Sequence, residues 1–237
     1  SLNLEAQKLW NEKQKRIESL SAYRRRVIQC EKEFERSLAR MRAVMTKIRN
    51  RPAAAVEEAK MLVDDIVEKL MSDDNVTLHL MNGNNEFEDI YFHSLNVAVI
   101  AMMVGRAKGY SSERLKALSF AALFHDMGKI KIPTAILRKQ VALTTPEENY
   151  LKLHTKYGLD LANQIEGFPE EAKTVIAQHH ELRDGSGYPV GLRGDEIDEF
   201  AQVIIVANAF DNLCHTSVLA EQKIPYTALS HLYKNCK

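Results

Sequence analysis

No glycine or proline occurs before Pro52, and the first glycine is Gly83. These two residues most readily interrupt a helix, so fifty residues without them permit little except one long α-helix. Ile17, Leu20, Arg24, Val27, Glu31, Phe34, Leu38, Met41, Met45 and Ile48 follow alternating gaps of 3 and 4 without a slip, and Trp10 continues the phase. A seam repeating every 3.5 residues keeps facing one partner only if two helices supercoil. A helix of fifty residues would be ~75 Å long, more than a domain of this size can cover. Residues 1–51 are therefore expected to be a coiled-coil segment that forms a parallel homodimer. The plainer alternative is an amphipathic helix packed on its own domain. Arg24 and Glu31 interrupt the seam, as register-setting polar residues do. The flanking Gln14, Ser21, Tyr23, Cys30 and Ser37 offer little charge pairing, so the number of strands is not readable.

Arg51-Pro52 should end this helix, because the residue before proline is pushed out of the α region. Ala53–Met71 reads as a second amphipathic helix, with Val56, Ala59, Leu62, Val63, Ile66, Val67 and Leu70 on one face. The polar stretch Asp73–Glu86 holds Asn82-Gly83-Asn84-Asn85, a turn-rich loop. Helical patterns then cover Ile90–Ala107, Ser112–Phe124, Pro146–Ile165, Pro169–His180 and Glu199–Leu213. Thr144-Thr145-Pro146 followed by Glu147-Glu148 makes a helix start, with a hydroxyl cap and acids near the positive end. No run alternates long enough for a sheet, so the chain is expected to be all-α. The divisions are 1–51, a lead-in at 52–87 and a main domain at 88–237. Four of the ten glycines crowd into Gly185–Gly194, where the backbone should need unusual angles.

Charge excludes some functions. With 32 basic and 32 acidic residues, the chain lacks the strongly basic surface that drives binding to nucleic-acid phosphates. The longest uncharged apolar stretch, Ser94–Gly105, is shorter than the ~20 residues of a bilayer span, so no membrane span is expected. No charged, apolar and small-residue leader opens the chain, so no secretion signal is expected. Cys30, Cys214 and Cys236 form no C-x-x-C pair and read as reduced thiols of a cytoplasmic protein.

Five of the eight histidines fall beside acids or each other in helical context: His93, His125, His154, His179 and His180. Asp89 and His93 share a helix face at i and i+4. His125-Asp126 ends an apolar helix, where a buried pair costs several kcal/mol unless hydrogen-bonded or bound to metal. Imidazole with carboxylate and no thiolate favours iron, manganese or zinc. Each piece alone is weak: a lone His-Asp is more often a structural pair, and Asp-x-x-x-His is usually a surface contact. The set gains weight from its order and from the glycine-rich loop that follows.

His93, His125-Asp126 with Gly128-Lys129, His154, His179-His180-Glu181 and Arg183-Asp184-Gly185-Ser186-Gly187-Tyr188-Pro189 together resemble the HD-GYP domain. That family belongs to the HD superfamily of metal-dependent phosphohydrolases and is best known for hydrolysing cyclic di-GMP to linear pGpG or GMP. The resemblance covers about Asp89–Lys237. It implies a helical HD bundle holding two or three divalent ions, iron or manganese, on His93, His125, Asp126, His154, His179, His180 and the position of Asn208, with Asp89 serving a third ion. Asp126 would bridge two ions whose water attacks phosphorus. Lys129 would contact the scissile phosphate, and Lys139 matches a further basic position. Gly187, Tyr188 and Pro189 would lie near the nucleotide and contact partners, GGDEF-domain proteins among them.

Two departures stand out. Val206-Ala207-Asn208-Ala209-Phe210-Asp211 places Asn208 where the family has a ligand aspartate, and an amide is a poorer, neutral ligand. Asp211, at i+3, is a candidate to compensate. The family's ligand-binding arginine falls near Ser217. The expected function is a cyclic di-GMP phosphodiesterase with a weakened site; the alternative is a degenerate domain that binds nucleotide or protein without turnover. Asp195, Glu196 and Asp198 read as a solvated turn, Met102-Met103 as core, and Arg24-Arg25-Arg26 as a charged helix face. His79, His215 and His231 have no companion acids at ligand spacing.

Overall fold

The structure is a computed structural model that describes residues 2–72, 90–139, 141–214 and 223–235. The helices are α1 (Leu2–Lys47), α2 (Pro52–Ser72), α3 (Ile90–Ala107), α4 (Ser112–Phe124), α5 (Thr134–Leu137), α6 (Thr145–Lys152), α7 (His154–Asn163), α8 (Glu170–Gln178), α9 (Glu199–Cys214) and α10 (Pro225–Asn235). Short 3-10 turns lie at Met127–Lys131 and Gly194–Glu196. No strand occurs among the described residues, as the absence of alternating runs predicted; the only extended pairing is a bridge between Asp184 and Arg193.

The first helix divides its apolar seam between two fates. Pro52 turns the chain, and α2 runs back along α1, laced by Lys47–Glu58 at 2.6 Å, Arg40–Asp65, and Lys69–Glu33 at 3.3 Å. Met41, Val44, Met45 and Ile48 are buried with Ala55, Val56, Ala59, Leu62, Val63 and Val67 of α2. Phe34 meets Phe92 of α3 edge-on, with centroids 5.2 Å apart. The seam from Phe34 to Ile48 is therefore covered by the chain itself, contrary to a coiled coil over all of 1–51. Beyond the last α2 ion pair the same stripe emerges uncovered, with Trp10, Ile17 and Leu20 46–65% exposed. The physical reason is length: α2 has 21 residues against 46 in α1.

α3 is the central helix, packed on α1, α4 and α9. It is long and apolar enough to cross a bilayer by composition alone, yet it is largely buried inside the bundle, so its apolarity is that of a core element. Phe120, Phe124 and Phe168 interlock, with centroids 4.7–5.4 Å apart, where α4 meets the turn before α8.

Several local expectations are corrected. The single helix read over Pro146–Ile165 breaks at Leu153, whose N–H bonds the carbonyl of Tyr150 at 3.1 Å in a tighter turn. The helix start read at Thr144-Thr145-Pro146 is found as α6, where Thr144 and Glu147 form a reciprocal capping box, with Thr144 N–H donating to Glu147 at 2.7 Å. Asp195, Glu196 and Asp198 are exposed in and just after the turn at Gly194–Glu196, as read, and Asp198 in addition caps α9 by accepting the Phe200 and Ala201 amides. Glu196 likewise accepts the Arg193 N–H. α10 was not anticipated. Asp89, His79, Asn82-Gly83-Asn84-Asn85, His215, Ser217 and Cys236 lie outside the described residues.

Candidate metal centre

Three helix ends and one helix face converge on Asp126. α3 contributes His93, the end of α4 gives His125 and Asp126, α7 begins with His154, and α8 ends at His179-His180. Asp126, His125, His154 and His179 are at most 2% exposed, and His93 is 5% exposed. Asp126 Oδ1 lies 3.3 Å from His154 Nε2 and 3.5 Å from His179 Nε2. Its Oδ2 lies 3.3 Å from His125 Nε2, 3.7 Å from His93 Nε2 and 2.6 Å from Lys129 Nζ.

The ring orientations are set from behind. Nδ1 of His125, His154 and His179 faces the carbonyls of Ala122, Leu151 and Ile176 at 2.7, 2.7 and 3.0 Å. His93 Nδ1 faces Asp211 Oδ2 at 2.7 Å. Carbonyls and carboxylates accept only, so each Nδ1 carries a proton and each ring turns its Nε2 inward. His154 and His179 thus bring two Nε2 atoms within 3.1 Å, a repulsive pairing of lone pairs unless a cation or proton lies between them.

The charges are organised accordingly. Burial would raise the Asp126 carboxyl, yet Lys129 and His125 beside it hold it well below the usual range. Burial pushes the His179 imidazole down to about 4, opposed by Asp126. His180 is pushed below the ordinary imidazole range by burial and then by His179. His125 Nε2 and Asp126 Oδ1 are buried without a hydrogen-bond partner. Asp126, His154, His179 and His180 form one potential donor group, and His93, His125 and Asp126 a second, each with its donor atoms within 4.8 Å of one another. This buried set of imidazoles sharing one carboxylate fits divalent cations of borderline softness.

Gly128 makes the convergence possible. A Cβ there would sit 1.9 Å from the His154 carbonyl and 2.5 Å from the Gly158 amide, so only glycine lets the turn carrying Asp126 and Lys129 lie against α7.

The remaining sequence candidates fall differently. Asn208 is buried, and its Oδ1 accepts from Asn212 Nδ2 at 3.1 Å. Asp211 Oδ2 faces His93 Nδ1, so this oxygen lies behind a candidate ligand. Lys139 is paired with Glu147 at the cap of α6, not with the His/Asp cluster. Tyr188 stacks on His180, centroids 4.7 Å apart at 15°, and Lys152 Nζ lies 5.4 Å from the Tyr188 ring centre. Gly187 presses the loop onto the backbone of Glu181 and Leu182, where a Cβ would come within 2.5 Å, and Tyr188-Pro189 is a cis peptide. Sequence reasoning missed the carbonyl acceptors behind the rings, which residue type cannot reveal, and gave Glu181 no role of its own.

A family profile described as HD domain matches residues 42–237. Among curated relatives, the cyclic di-GMP phosphodiesterase response regulator RpfG of Xanthomonas campestris pv. campestris is 37% identical over 135 residues, covering 56% of this chain and 36% of that protein. The 3'3'-cGAMP-specific phosphodiesterase 1 of Vibrio cholerae is 30% identical over 168 residues, covering 69% of this chain and 36% of that protein. The chain thus spans little more than a third of the length of these relatives. Among solved structures, Bd1817 of Bdellovibrio bacteriovorus, described as an HDG"Y"P protein, superposes with a TM-score of 0.72 at 21% identity, over 86% of this chain and 64% of that one. It shares the fold. The match to the family profile runs from the last turns of α1 through every helix that contributes to the cluster, and on it this chain belongs to the HD domain family.

Proposed function

We propose that this chain is a metal-dependent phosphodiesterase acting on a 3',3'-cyclic dinucleotide, cyclic di-GMP before others, and giving linear pGpG or GMP. The observation that carries the reading is the convergence of Nε2 atoms on Asp126, with every Nδ1 of His93, His125, His154 and His179 committed elsewhere. Asp126, His154, His179 and His180 would hold one ion, and His93, His125 and Asp126 a second, with Asn208 nearby on α9 in place of an acid. Iron or manganese suits these donors. Such ions, when bound, supply the positive charge that acidifies water and neutralises phosphoryl oxygens. Relatives named as phosphodiesterases of cyclic di-GMP and of 3'3'-cGAMP support the substrate class.

The chain's own groups complete the reading. Lys129 keeps a 26%-exposed side chain at the edge of the buried cluster, placed to meet a phosphate oxygen and to stabilise charge as the phosphorus is attacked. Burial pushes the Tyr188 phenol up, so it stays protonated, offering a flat face and an O–H donor at the rim. Residues 88–237 carry this chemistry. The lead-in at 52–87 joins them to α1, whose uncovered stripe pairs two copies and offers a route for regulation through the Arg51-Pro52 joint.

The second reading, a domain that binds without turnover, is favoured by Asn208, whose oxygen is already engaged by Asn212. The test is chromatography of cyclic di-GMP and 3'3'-cGAMP after incubation with manganese- or iron-loaded protein. Linear product supports the enzyme. Full metal content without product from either nucleotide overturns it, and a rate appearing only in Asn208→Asp assigns the loss to the missing carboxylate.

A further inference from the structure

Glu181 is completely buried directly after the histidine pair, and none of the chemistry above uses it. Its Oε1 accepts the Val190 N–H at 2.7 Å, and its Oε2 accepts the Gly191 and Leu192 N–H groups at 2.9 Å each. Three successive amides thus converge on one carboxylate. The same loop is tied at its base by the Asp184–Arg193 bridge and by Gly194 N–H to the Arg183 carbonyl at 3.0 Å. It is tied at its tip by Tyr188 N–H to the His180 carbonyl at 3.0 Å. The result is a closed strap whose tip lays Tyr188 flat on His180.

His180 differs from the other rings. His125, His154 and His179 are each fixed by a carbonyl behind Nδ1, and His93 by Asp211. Among the described residues no hydrogen bond holds the His180 ring, so its plane depends on packing, and the most nearly parallel surface against it is Tyr188. From this geometry we propose that Glu181 is a positioning residue: by clamping amides 190–192 it holds the strap that aligns His180, the last donor of the Asp126, His154, His179 and His180 group. The inference rests on the metal reading of that group.

A carboxylate is required because it accepts at every lone pair. In Glu181→Gln one acceptor becomes an NH2 donor facing the inward N–H of the strap. At least one half-buried amide then loses its partner, and the strap should loosen.

The experiment compares wild type, Glu181→Gln and Tyr188→Leu, each first stripped with chelator, by Mn2+ titration calorimetry and by hydrogen exchange at amides 190–192. The expected result is faster exchange at 190–192 in Glu181→Gln only, together with about 10–100-fold weaker binding of one Mn2+ equivalent in both variants, the usual cost of losing support behind a ligand. Unchanged Mn2+ affinity in Glu181→Gln despite faster exchange overturns the positioning role, and unchanged exchange overturns the clamp. If Glu181→Gln fails to fold, Tyr188→Leu decides alone, and wild-type affinity there overturns the link to His180. Absence of Mn2+ binding in wild type is a different result, because it defeats the metal reading itself.

Discussion

Acidifying the metal-free protein should destabilise it well before its carboxylates titrate. Burial lowers the His179 imidazole from 6.5 to about 4, with Asp126 opposing and His125 and His154 adding to the shift. In the unfolded chain this ring takes its proton near 6.5, whereas in the fold it does so only near 4. Between those values the unfolded state binds more protons, so stability rises with pH. The contribution is complete above 6.5 and fades as pH falls toward 4. The full loss for a shift of that size is about 3 kcal/mol, of which roughly 2 kcal/mol is already gone at pH 5. His180, lowered by burial, acts with the same sign. Asp126 is held below its ordinary 3.8, so its own contribution is lost only in stronger acid and leaves this window untouched. Urea unfolding of chelator-stripped protein at pH 7.5, 6 and 5 measures the effect, with His179→Gln expected to flatten the slope. A protein as stable at pH 5 as at pH 7.5 would refute the reasoning, since the rings would then be free to charge.

Three further outcomes follow from the geometry. Gly128→Ala must push the His154 carbonyl away from a Cβ otherwise 1.9 Å distant; we expect a loss of about 1–3 kcal/mol in urea unfolding, typical of overpacking, and weaker Mn2+ binding, whereas wild-type values for both would show that the turn does not abut α7. Lys129→Ala should lower kcat on a cyclic dinucleotide by about 10²-fold, as for removal of one charge-stabilising donor, with Mn2+ stoichiometry unchanged; a rise in KM alone would make Lys129 a binding residue only. Removing residues 2–30 should convert a dimer to a monomer by light scattering while the far-ultraviolet spectrum of the body persists; an unchanged mass would end the pairing proposal. Removal through residue 51 is a poorer test, because it takes Met41, Val44, Met45 and Ile48 out of the core.

Much of this was legible in the chain because the relevant forces are local. The period of Ile90–Ala107 and Ser112–Phe124 announced core helices, and both appear with the expected bounds. Thr144-Thr145-Pro146 with Glu147-Glu148 announced a capped helix start, since the groups of such a cap all lie within a few residues of one another. The histidine pair and His125-Asp126 stood at helix ends, where side chains can leave the helix and meet. What stayed hidden depends on contacts across the fold. The seam of α1 has one period from end to end, and nothing in that period tells that α2 covers it only as far as Glu33. Asn208 and Asp211 share a face, yet only the packing of α9 on α3 shows that Asp211 Oδ2 reaches His93 Nδ1 at 2.7 Å. The break at Leu153 carries no proline or glycine to announce it. Lys139 looked like a substrate contact by position, and its pairing with Glu147 appears only when α5 and α6 are placed together.

The central claim is that inward-facing Nε2 atoms and Asp126 hold divalent cations. Its most direct test is anomalous scattering from crystals of the protein soaked in Mn2+. The account predicts two peaks flanking Asp126, one among His154, His179 and His180 and the other beside His93 and His125. Ordered imidazoles with no peak within coordination distance of Asp126, or manganese bound only elsewhere on the chain, would contradict it.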